Sequence, residues 1–336
     1  DQTTPTGRAT PPERASATGR VPLSGRAAGV DRASPADRAT PPDQTAPTGR
    51  GFPGGWAPPP DGLVRAARLA LGPWRAWTSP VFHGLHHVPS GGPVLLVGNH
   101  TVYGLLDAPL IFFEIHRRRG VWARSLADHA HWLVPGWRTV MEAGGAVDGT
   151  PGNCRELLRA GHPVVVFPGG AREVTRARED RYRLQWDGRL GFARLAVEAG
   201  CPIVPFGSVG VEEMFTPVLD PGSALLAPAR ALGRAVLGER GARDDVVMPV
   251  SRGLGPTPVP RPERLYFRFG PPIDTAPWAG RAGDDRAVAE VRDLTRAAVS
   301  GIIDGLRAEQ AADPDRTPLR RAARRAAALV RRPSRP

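Results

Sequence analysis

Four apolar segments with helical patterns between them constrain the fold of this chain most. The segments are VLLV at 94–97, VVVF at 164–167, IVPFGSV at 203–209 and LYFRF at 265–269. Helical periodicity occupies 153–161, 188–200 and 291–306. Strands that are apolar at nearly every position are typical of a parallel sheet covered on both faces by helices. The sequence therefore predicts an α/β fold, a single domain with a mostly parallel central sheet flanked by helices.

The two ends of the chain differ in composition from this domain, which is predicted to span 61–312. Residues 1–60 repeat themselves, since DQTTPTGR at 1–8 returns as DQTAPTGR at 43–50. They have no apolar periodicity and are predicted to form a disordered low-complexity region. Residues 313–336 are predicted to form a basic tail. On a helix, Leu319, Ala322, Ala326 and Leu329 would form one apolar stripe flanked by arginines.

Arginine dominates the charge of the chain. All 45 basic residues are Arg, and the formal net charge is +12. Guanidinium groups suit phosphates, so we expect contacts with phosphate-bearing ligands or an anionic membrane surface. The tail either docks on such a surface as an amphipathic helix or stays a disordered basic tail. The segment 63–77, amphipathic and broken at Gly72–Pro73, either lies on a membrane or packs on the domain.

Other features limit the range of functions. No secretory signal is visible in this sequence and it has no apolar run of about eighteen residues, so the predicted location is cytoplasmic, peripheral on the inner face of the cell membrane. Cys154 and Cys201 are predicted to be buried thiols in a reducing compartment. Histidines cluster at 82–88 and 128–132, but their spacing favours no metal site. Charge alone suggests nucleic acid, yet no recognised module is present, so no nucleic-acid partner is predicted.

A histidine directly follows the first predicted strand. His100 ends the run PVLLVGNH, where the carboxyl edge of a sheet usually opens into a ligand crevice. A neutral imidazole there can remove a proton from a hydroxyl, provided that a carboxylate on its other nitrogen fixes the tautomer. Asp107 is the candidate carboxylate. With Pro109 two residues later, Asp107 is also a candidate helix N-cap.

A second turn adds a possible anion site. VVVFPGGAREV at 164–174 predicts a strand, a Pro–Gly turn and a helix start. Glycines permit close approach of the backbone to a ligand, and a guanidinium adds a fork for phosphate or carboxylate. The predicted substrate-binding residues are Gly169, Gly170, Arg172 and Glu173.

Five ordered blocks resemble the glycerolipid acyltransferase superfamily, in particular its bacterial branch near the mono- and diacylglycerol acyltransferases and plant phytyl ester synthases. They are LLVGNHTVYGLLDAP at 95–109, GGAVDGTPGNCRELLRAG at 144–161, VFPGGAREV at 166–174, RYRLQWDGRLGFARLAVEAGCPIVPFGSVGVEE at 181–213, and FRFGPPID at 267–274. In the first block the family carries a catalytic His and Asp, which fall on His100 and Asp107. Six residues separate them here, where the family's best-known spacing is four. Arg155 lies further from the second-block glycine than the family's phosphate-acceptor enzymes usually place their Arg.

This resemblance implies single-step acyl transfer. His100 would deprotonate an acceptor hydroxyl, which attacks the thioester of acyl-CoA or acyl-carrier protein as co-substrate, with no further cofactor. The expected acceptor is a lysophospholipid or a neutral glycerolipid or alcohol. Two alternatives stay open: a lipid esterase or thioesterase using the same site, and a catalytically inactive, membrane-associated homologue. No G-x-S-x-G elbow is present, which disfavours a serine hydrolase.

Overall fold

A seven-stranded sheet lies at the centre of the protein, seen here in a computed structural model. The structure describes residues 59–133, 136–176, 178–219, 223–228, 231–232, 235 and 250–323. Within them the strands are β1 (Val81–His83), β2 (Val94–Gly98), β3 (Arg124–Ala127), β4 (Ala146–Asp148), β5 (Pro163–Val166), β6 (Ile203–Val209), β7 (Thr216–Leu219), β8 (Val250–Arg252) and β9 (Tyr266–Phe269). The large sheet has the order β1-β9-β6-β2-β5-β3-β4, and β7 and β8 form a separate pair.

The large sheet is parallel at every junction but one. β2 pairs in parallel with both β5 and β6, and only β6 and β9 run antiparallel. The predicted α/β fold with a mostly parallel sheet is therefore confirmed. The four predicted strands correspond to β2, β5, β6 and β9. β1, β3, β4, β7 and β8 escaped prediction, being short and only partly apolar.

Helices cover both faces of the large sheet. They are α1 (Asp61–Thr78), α2 (Ala108–Arg119), α3 (Trp137–Ala143), α4 (Pro151–Arg159), α5 (Ala171–Val174), α6 (Gly191–Ala199), α7 (Val211–Met214) and α8 (Asp285–Ala312). Successive residues of β2 point to opposite faces. Leu95 packs with residues of α4, α6 and α8, whereas Leu96 packs with residues of α2. This two-sided burial explains why β2 is apolar at every position.

Local signals position these helices. Thr150 caps α4, since its hydroxyl accepts the amide N–H of Asn153 at 3.1 Å. Asp284 caps α8 by accepting the amides of Arg286 and Ala287. The predicted helices at 153–161, 188–200 and 291–306 correspond to α4, α6 and α8, and α8 extends beyond the prediction at both ends.

Helix α1 differs from its prediction, since it runs unbroken through Gly72 and Pro73. Both residues are exposed, so the carbonyl left unpaired by proline can face water. Its last turns pack on the domain: the Trp74 indole N–H donates to the Leu106 carbonyl at 2.7 Å, and Arg75 pairs with buried Glu114 at 3.3 Å. Earlier in the helix Leu69 is 78% exposed.

The predicted terminal regions are only partly visible. The proposed disordered region lies outside the described residues except for 59–60. At the other end, Asp313 accepts hydrogen bonds from Arg264 and Tyr266, so the chain stays attached to the domain just beyond α8. Residues 318–323 are helical, and the rest of the tail lies outside the described residues. Among the described helices, none is both long and apolar enough to cross a bilayer.

Asn99 links the end of β2 to the neighbouring strand β6. Its amide group donates to the Ser208 carbonyl at 3.0 Å and accepts the Ser208 N–H at 2.9 Å. Both residues are fully buried. Because β2 ends at Gly98, this side chain continues the sheet pairing by one residue and fixes the direction in which the chain leaves the sheet towards His100.

Replacing Asn99 should therefore destabilise the fold. Asn99→Ala leaves two buried backbone groups unpaired, which we expect to cost about 2–4 kcal/mol of unfolding free energy. Asn153→Ala is the matched control, because it removes a half-buried amide bond to the Asp148 carbonyl at a helix start. Urea unfolding of both variants measures the difference. Equal and small effects would show that Asn99 does not join the strands.

Candidate functional site

The carboxyl ends of β2, β5 and β6 meet at one edge of the sheet. His100 follows β2, the Phe167–Gly170 turn and α5 follow β5, and α7 follows β6. Ligands of open α/β sheets usually bind at this edge. The structure thus brings the two predicted site segments together, and it adds the start of α7 to them.

The imidazole of His100 lies between an aromatic ring and a glycine. It stacks on Phe167, with ring centroids 4.2 Å apart and planes 11° from parallel. On the chain after His100, Tyr103 and Gly104 both have left-handed backbone conformations (φ 65° and 62°). A Cβ on Gly104 would lie 2.5 Å from Cε1 of the ring. Glycine is therefore required where this loop meets the imidazole.

The electrostatic surroundings keep His100 neutral. The residue remains partly exposed, but its Nδ1 is buried and has no hydrogen-bond partner among the described residues. Burial lowers the pKa of His100 most, the charges of Arg176 and His131 lower it as well, and together they bring it to about 3. The ring is therefore unprotonated at any physiological pH, with a nitrogen lone pair available to accept a proton.

Asp107 lies at the start of α2 but does not hydrogen-bond the imidazole. Its Oδ1 accepts the Thr101 hydroxyl at 2.9 Å, and its Oδ2 is buried with no hydrogen-bond partner in the part of the chain that the structure describes. It occupies the predicted N-cap position of α2, where its side chain makes no capping bond. Burial raises the pKa of Asp107, and the hydroxyls of Ser208 and Thr101 oppose that rise. His100 and Asp107 thus share one loop, and each keeps one buried polar atom free of hydrogen bonds.

Glu173 lies beneath the His100 loop, fully buried. Its Oε2 accepts the His100 backbone N–H at 2.7 Å, and its Oε1 accepts the Gln185 N–H at 3.0 Å. A Cβ on Gly169 would lie 2.1 Å from the Glu173 carboxylate carbon, so glycine makes room for it. Both oxygens are engaged by backbone amides, so the geometry gives Glu173 a positioning role, whereas the sequence led us to expect direct substrate contact.

Gly170 and Arg172, two other residues of the predicted anion site, have different surroundings from Glu173. The Gly170 N–H donates to the Phe167 carbonyl at 3.0 Å and closes the turn. Arg172 is exposed and has no ion pair or hydrogen bond within the described residues. It lines an open groove of about 630 Å³ between the 180–187 loop and α8, which includes Gln185 and Arg296 but not His100. Glu173 connects the two regions through its bonds to His100 and Gln185.

Two buried charged residues at the site were missed by the sequence analysis. Arg176 donates from Nε to the Glu173 carbonyl at 2.5 Å and from Nη2 to the His100 carbonyl. Glu212, on α7, accepts the Val102 N–H at 3.3 Å and lies 3.8 Å from Arg176. Charged side chains are usually exposed, so nothing in TRAR (175–178) or VEE (211–213) indicated their burial.

The histidines of DHAHW (128–132) also lie at this end of the sheet. His131 accepts the Trp137 indole N–H at Nδ1 (3.1 Å) and is near enough for its charge to lower the pKa of His100. His129 pairs with Asp148 at 3.2 Å. The spacing of these histidines in the sequence favoured no metal site. In the part of the chain that the structure describes, no group of three His, Cys, Asp or Glu residues has metal-binding geometry.

Comparison with known proteins shows which family the chain is similar to. A sequence model of the family described as acyltransferase matches residues 79–209, a range that includes His100, Asp107 and the Gly169–Glu173 segment. The match confirms the predicted resemblance to the glycerolipid acyltransferase superfamily. It also agrees with the prediction that the protein is an acyltransferase.

Several relatives cover different parts of the chain. The human "DGAT1/2-independent enzyme synthesizing storage lipids" is 31% identical over 141 residues, which are 41% of this chain and 42% of that protein. Phytyl ester synthase 2 of Arabidopsis thaliana is 29% identical over 249 residues, 70% of this chain and 35% of the relative. An uncharacterized protein of Mycobacterium leprae is 30% identical over 229 residues, which are 66% of this chain and 59% of that protein. The chain thus spans about two fifths of the length of the first two relatives.

One solved structure also aligns with the chain. It is the 1-acyl-sn-glycerophosphate acyltransferase PlsC from Thermotoga maritima, with a TM-score of 0.43 and 16% sequence identity. The alignment covers 72% of this chain and 78% of that protein.

Proposed function

We propose that the protein is an O-acyltransferase that moves a fatty acyl group from acyl-CoA or acyl-carrier protein to a hydroxyl of a lysophospholipid or of a neutral glycerolipid or alcohol. His100 is the general base. One observation carries this proposal: a neutral, partly exposed imidazole at the carboxyl edge of the sheet, in the matched acyltransferase segment. No further cofactor enters the reaction.

The proposed reaction begins with removal of the acceptor's hydroxyl proton by His100. The alkoxide attacks the thioester carbonyl, and the tetrahedral intermediate then collapses to the ester and a thiolate. The protonated imidazole returns its proton to that thiolate. General-base catalysis of this kind contributes about 10²–10⁴-fold in rate. Nε2 is the reacting nitrogen, because Nδ1 is buried.

Asp107 is the proposed partner of Nδ1 in the reacting complex. An imidazole with a pKa of about 3 is unprotonated and can accept a proton, but it is a weak base. A general base is most effective when its pKa lies near the working pH. A hydrogen bond from Nδ1–H to Asp107 Oδ2 would stabilise the imidazolium and raise its pKa. Both atoms are buried and unpartnered in the free protein, and catalytic hydrogen bonds often tighten only when substrate binds.

Arg172 is the proposed phosphate ligand, for the donor or for a phospholipid acceptor. Its guanidinium is exposed beside the groove and unpaired within the described residues, so a phosphate displaces no internal partner. The developing oxyanion is assigned to the backbone amides of the Gly169–Arg172 turn other than that of Gly170, whose N–H closes the turn.

Acyl transfer can be tested with wild type and His100→Gln. Each protein is incubated with palmitoyl-CoA and a panel of lysophospholipids, diacylglycerol and long-chain alcohols, and the products are identified by mass spectrometry. Wild type should form ester, and His100→Gln should lose at least about 10²-fold in kcat with an unchanged circular dichroism spectrum.

The same measurement distinguishes the alternatives. Free fatty acid in place of ester indicates an esterase or thioesterase. No product from palmitoyl-CoA or palmitoyl-acyl-carrier protein indicates an inactive homologue. Ester formed by folded His100→Gln at the wild-type rate would exclude His100 as the base. His129→Gln is the matched control, since it removes a half-exposed imidazole that does not contact His100.

The proposed location is the cytoplasmic face of the cell membrane, where the anionic lipid surface is the partner. Leu63 and Leu69 on α1 are 40% and 78% exposed, and Leu319 in the tail helix is 84% exposed. Arginines accompany these leucines in both segments. Exposed apolar side chains with basic neighbours favour docking on an anionic bilayer.

Vesicle flotation tests this location. The protein should float with phosphatidylglycerol vesicles more than with phosphatidylcholine vesicles, and added salt should weaken binding because arginine–headgroup attraction is screened. Leu69→Asp should reduce binding, whereas Leu294→Asp, at a 49% exposed leucine on α8 outside both segments, should not. Equal flotation with both vesicle types, unaffected by Leu69→Asp, contradicts the proposal.

A further inference from the structure

The peptide groups on both sides of the His100 Cα are held by buried charged side chains. The N–H donates to Glu173, and the C=O accepts from Arg176. We infer that Arg176 and Glu212 are positioning residues, which hold the backbone of His100 and Val102 so that the imidazole meets the acceptor hydroxyl in a productive geometry. This inference rests on the proposed acyl transfer.

Arg176 joins the ends of two strands. Its Nε bonds to the carbonyl of Glu173, in the helix after β5, while its Nη2 bonds to the carbonyl of His100, directly after β2. Only a planar guanidinium can reach both carbonyls at fixed separation. The side chain has no exposure to solvent, so it cannot act by attracting substrate from solution.

Glu212 adds the end of the third strand. It is the second residue of α7, which follows β6; it accepts the Val102 N–H and faces Arg176 at 3.8 Å. A continuous chain of contacts therefore runs from Gln185 through Glu173, His100 and Arg176 to Glu212. The ends of β2, β5 and β6 are fixed relative to one another by these side chains.

The loop that carries His100 depends on such contacts because it lacks regular structure. Residues 99–107 belong to no helix or strand, so no ladder of backbone bonds holds them. Two successive left-handed residues, Tyr103 and Gly104, turn the loop back over the ring. A base displaced by about 1 Å can lose about 10²-fold in rate. Loss of either side chain should therefore lower turnover more than substrate affinity.

Glu212 also connects this arrangement to pH. Burial raises the pKa of Glu212, Arg176 lowers it, Glu213 raises it and Arg181 lowers it, and the net pKa is about 7. Tyr103 and Tyr182 are the other titratable groups that sense its charge. As the pH rises through neutrality, the carboxylate forms and its attraction to Arg176 appears. The free energy of unfolding changes in the opposite direction. Because the pKa of Glu212 is higher in the folded state, its contribution to stability is fully present below the unfolded pKa of about 4.5. This contribution is lost as the pH rises to about 7.

The test compares Glu212→Gln, Arg176→Met and Arg176→Lys with wild type. Glu212→Gln and Arg176→Met should lower kcat about 10²-fold, with KM changed less than about threefold. Arg176→Lys should recover only part of the loss, because an ammonium cannot span both carbonyls. Wild-type kcat should rise through about pH 7, and this limb should be absent in Glu212→Gln.

Glu114→Gln is the matched control. Glu114 is another buried carboxylate paired with arginines, but its partners are Arg75, Arg117 and Arg118 around α2 and not the His100 loop. The kcat and the pH profile of the Glu114→Gln variant should equal those of wild type. Wild-type kcat and pH profile in folded Glu212→Gln and Arg176→Met would overturn the inference, and so would an equal loss of kcat in Glu114→Gln.

Hydrogen exchange separates failure of this inference from failure of the proposed function. The amides of His100 and Val102 are bonded to Glu173 and Glu212. Arg176→Met and Glu212→Gln should speed their exchange, while Glu114→Gln should not. This readout needs no substrate, so it stays informative if wild type transfers no acyl group. Unchanged exchange in both site variants overturns the inference; faster exchange confined to 99–107 supports it.

Discussion

The bond between the Glu173 carboxylate and the backbone N–H of His100 is the contact on which the rest of the site depends. It is 2.7 Å long, and its acceptor belongs to a fully buried side chain, where a lost hydrogen bond would leave a polar group unsatisfied away from water. It fixes the first residue of an irregular loop to the helix that follows β5. Arg176 donates to the carbonyl on the other side of the His100 Cα, and Glu212 accepts the N–H of Val102.

These buried charges explain the unusual state of the imidazole. A low-dielectric surrounding and the nearby guanidinium of Arg176 both disfavour a protonated ring, and the stacked Phe167 excludes water from one face. Phe167 in turn contacts Phe206 at 5.8 Å between ring centroids, which ties the ring's position to the sheet core. These surroundings keep His100 neutral, and in the proposed mechanism the ring gains basicity when Asp107 reaches Nδ1.

Much of the fold could be predicted from the sequence, because runs such as 94–97 and 203–209 are apolar on both faces and only a covered sheet satisfies them. Strand direction was not predictable, so the antiparallel β9 emerged only from the structure. His100 and the glycine turn were found because they follow strands. Arg176 and Glu212 were not found, because both are buried by tertiary packing. The residues next to them in the sequence do not indicate that burial. Likewise, Gly72–Pro73 predicted a break in α1 that its exposed position makes unnecessary.

The central claim is that His100 is held as a neutral base, and the protonation of its ring tests this most directly. Nitrogen-15 NMR of histidine-labelled protein, with the signal assigned by its loss in His100→Gln, follows that ring through a pH titration. The account predicts one neutral form from pH 8 down to about pH 4, because the pKa is lowered to about 3. Titration of the ring near its ordinary pKa of about 6.5 would contradict it.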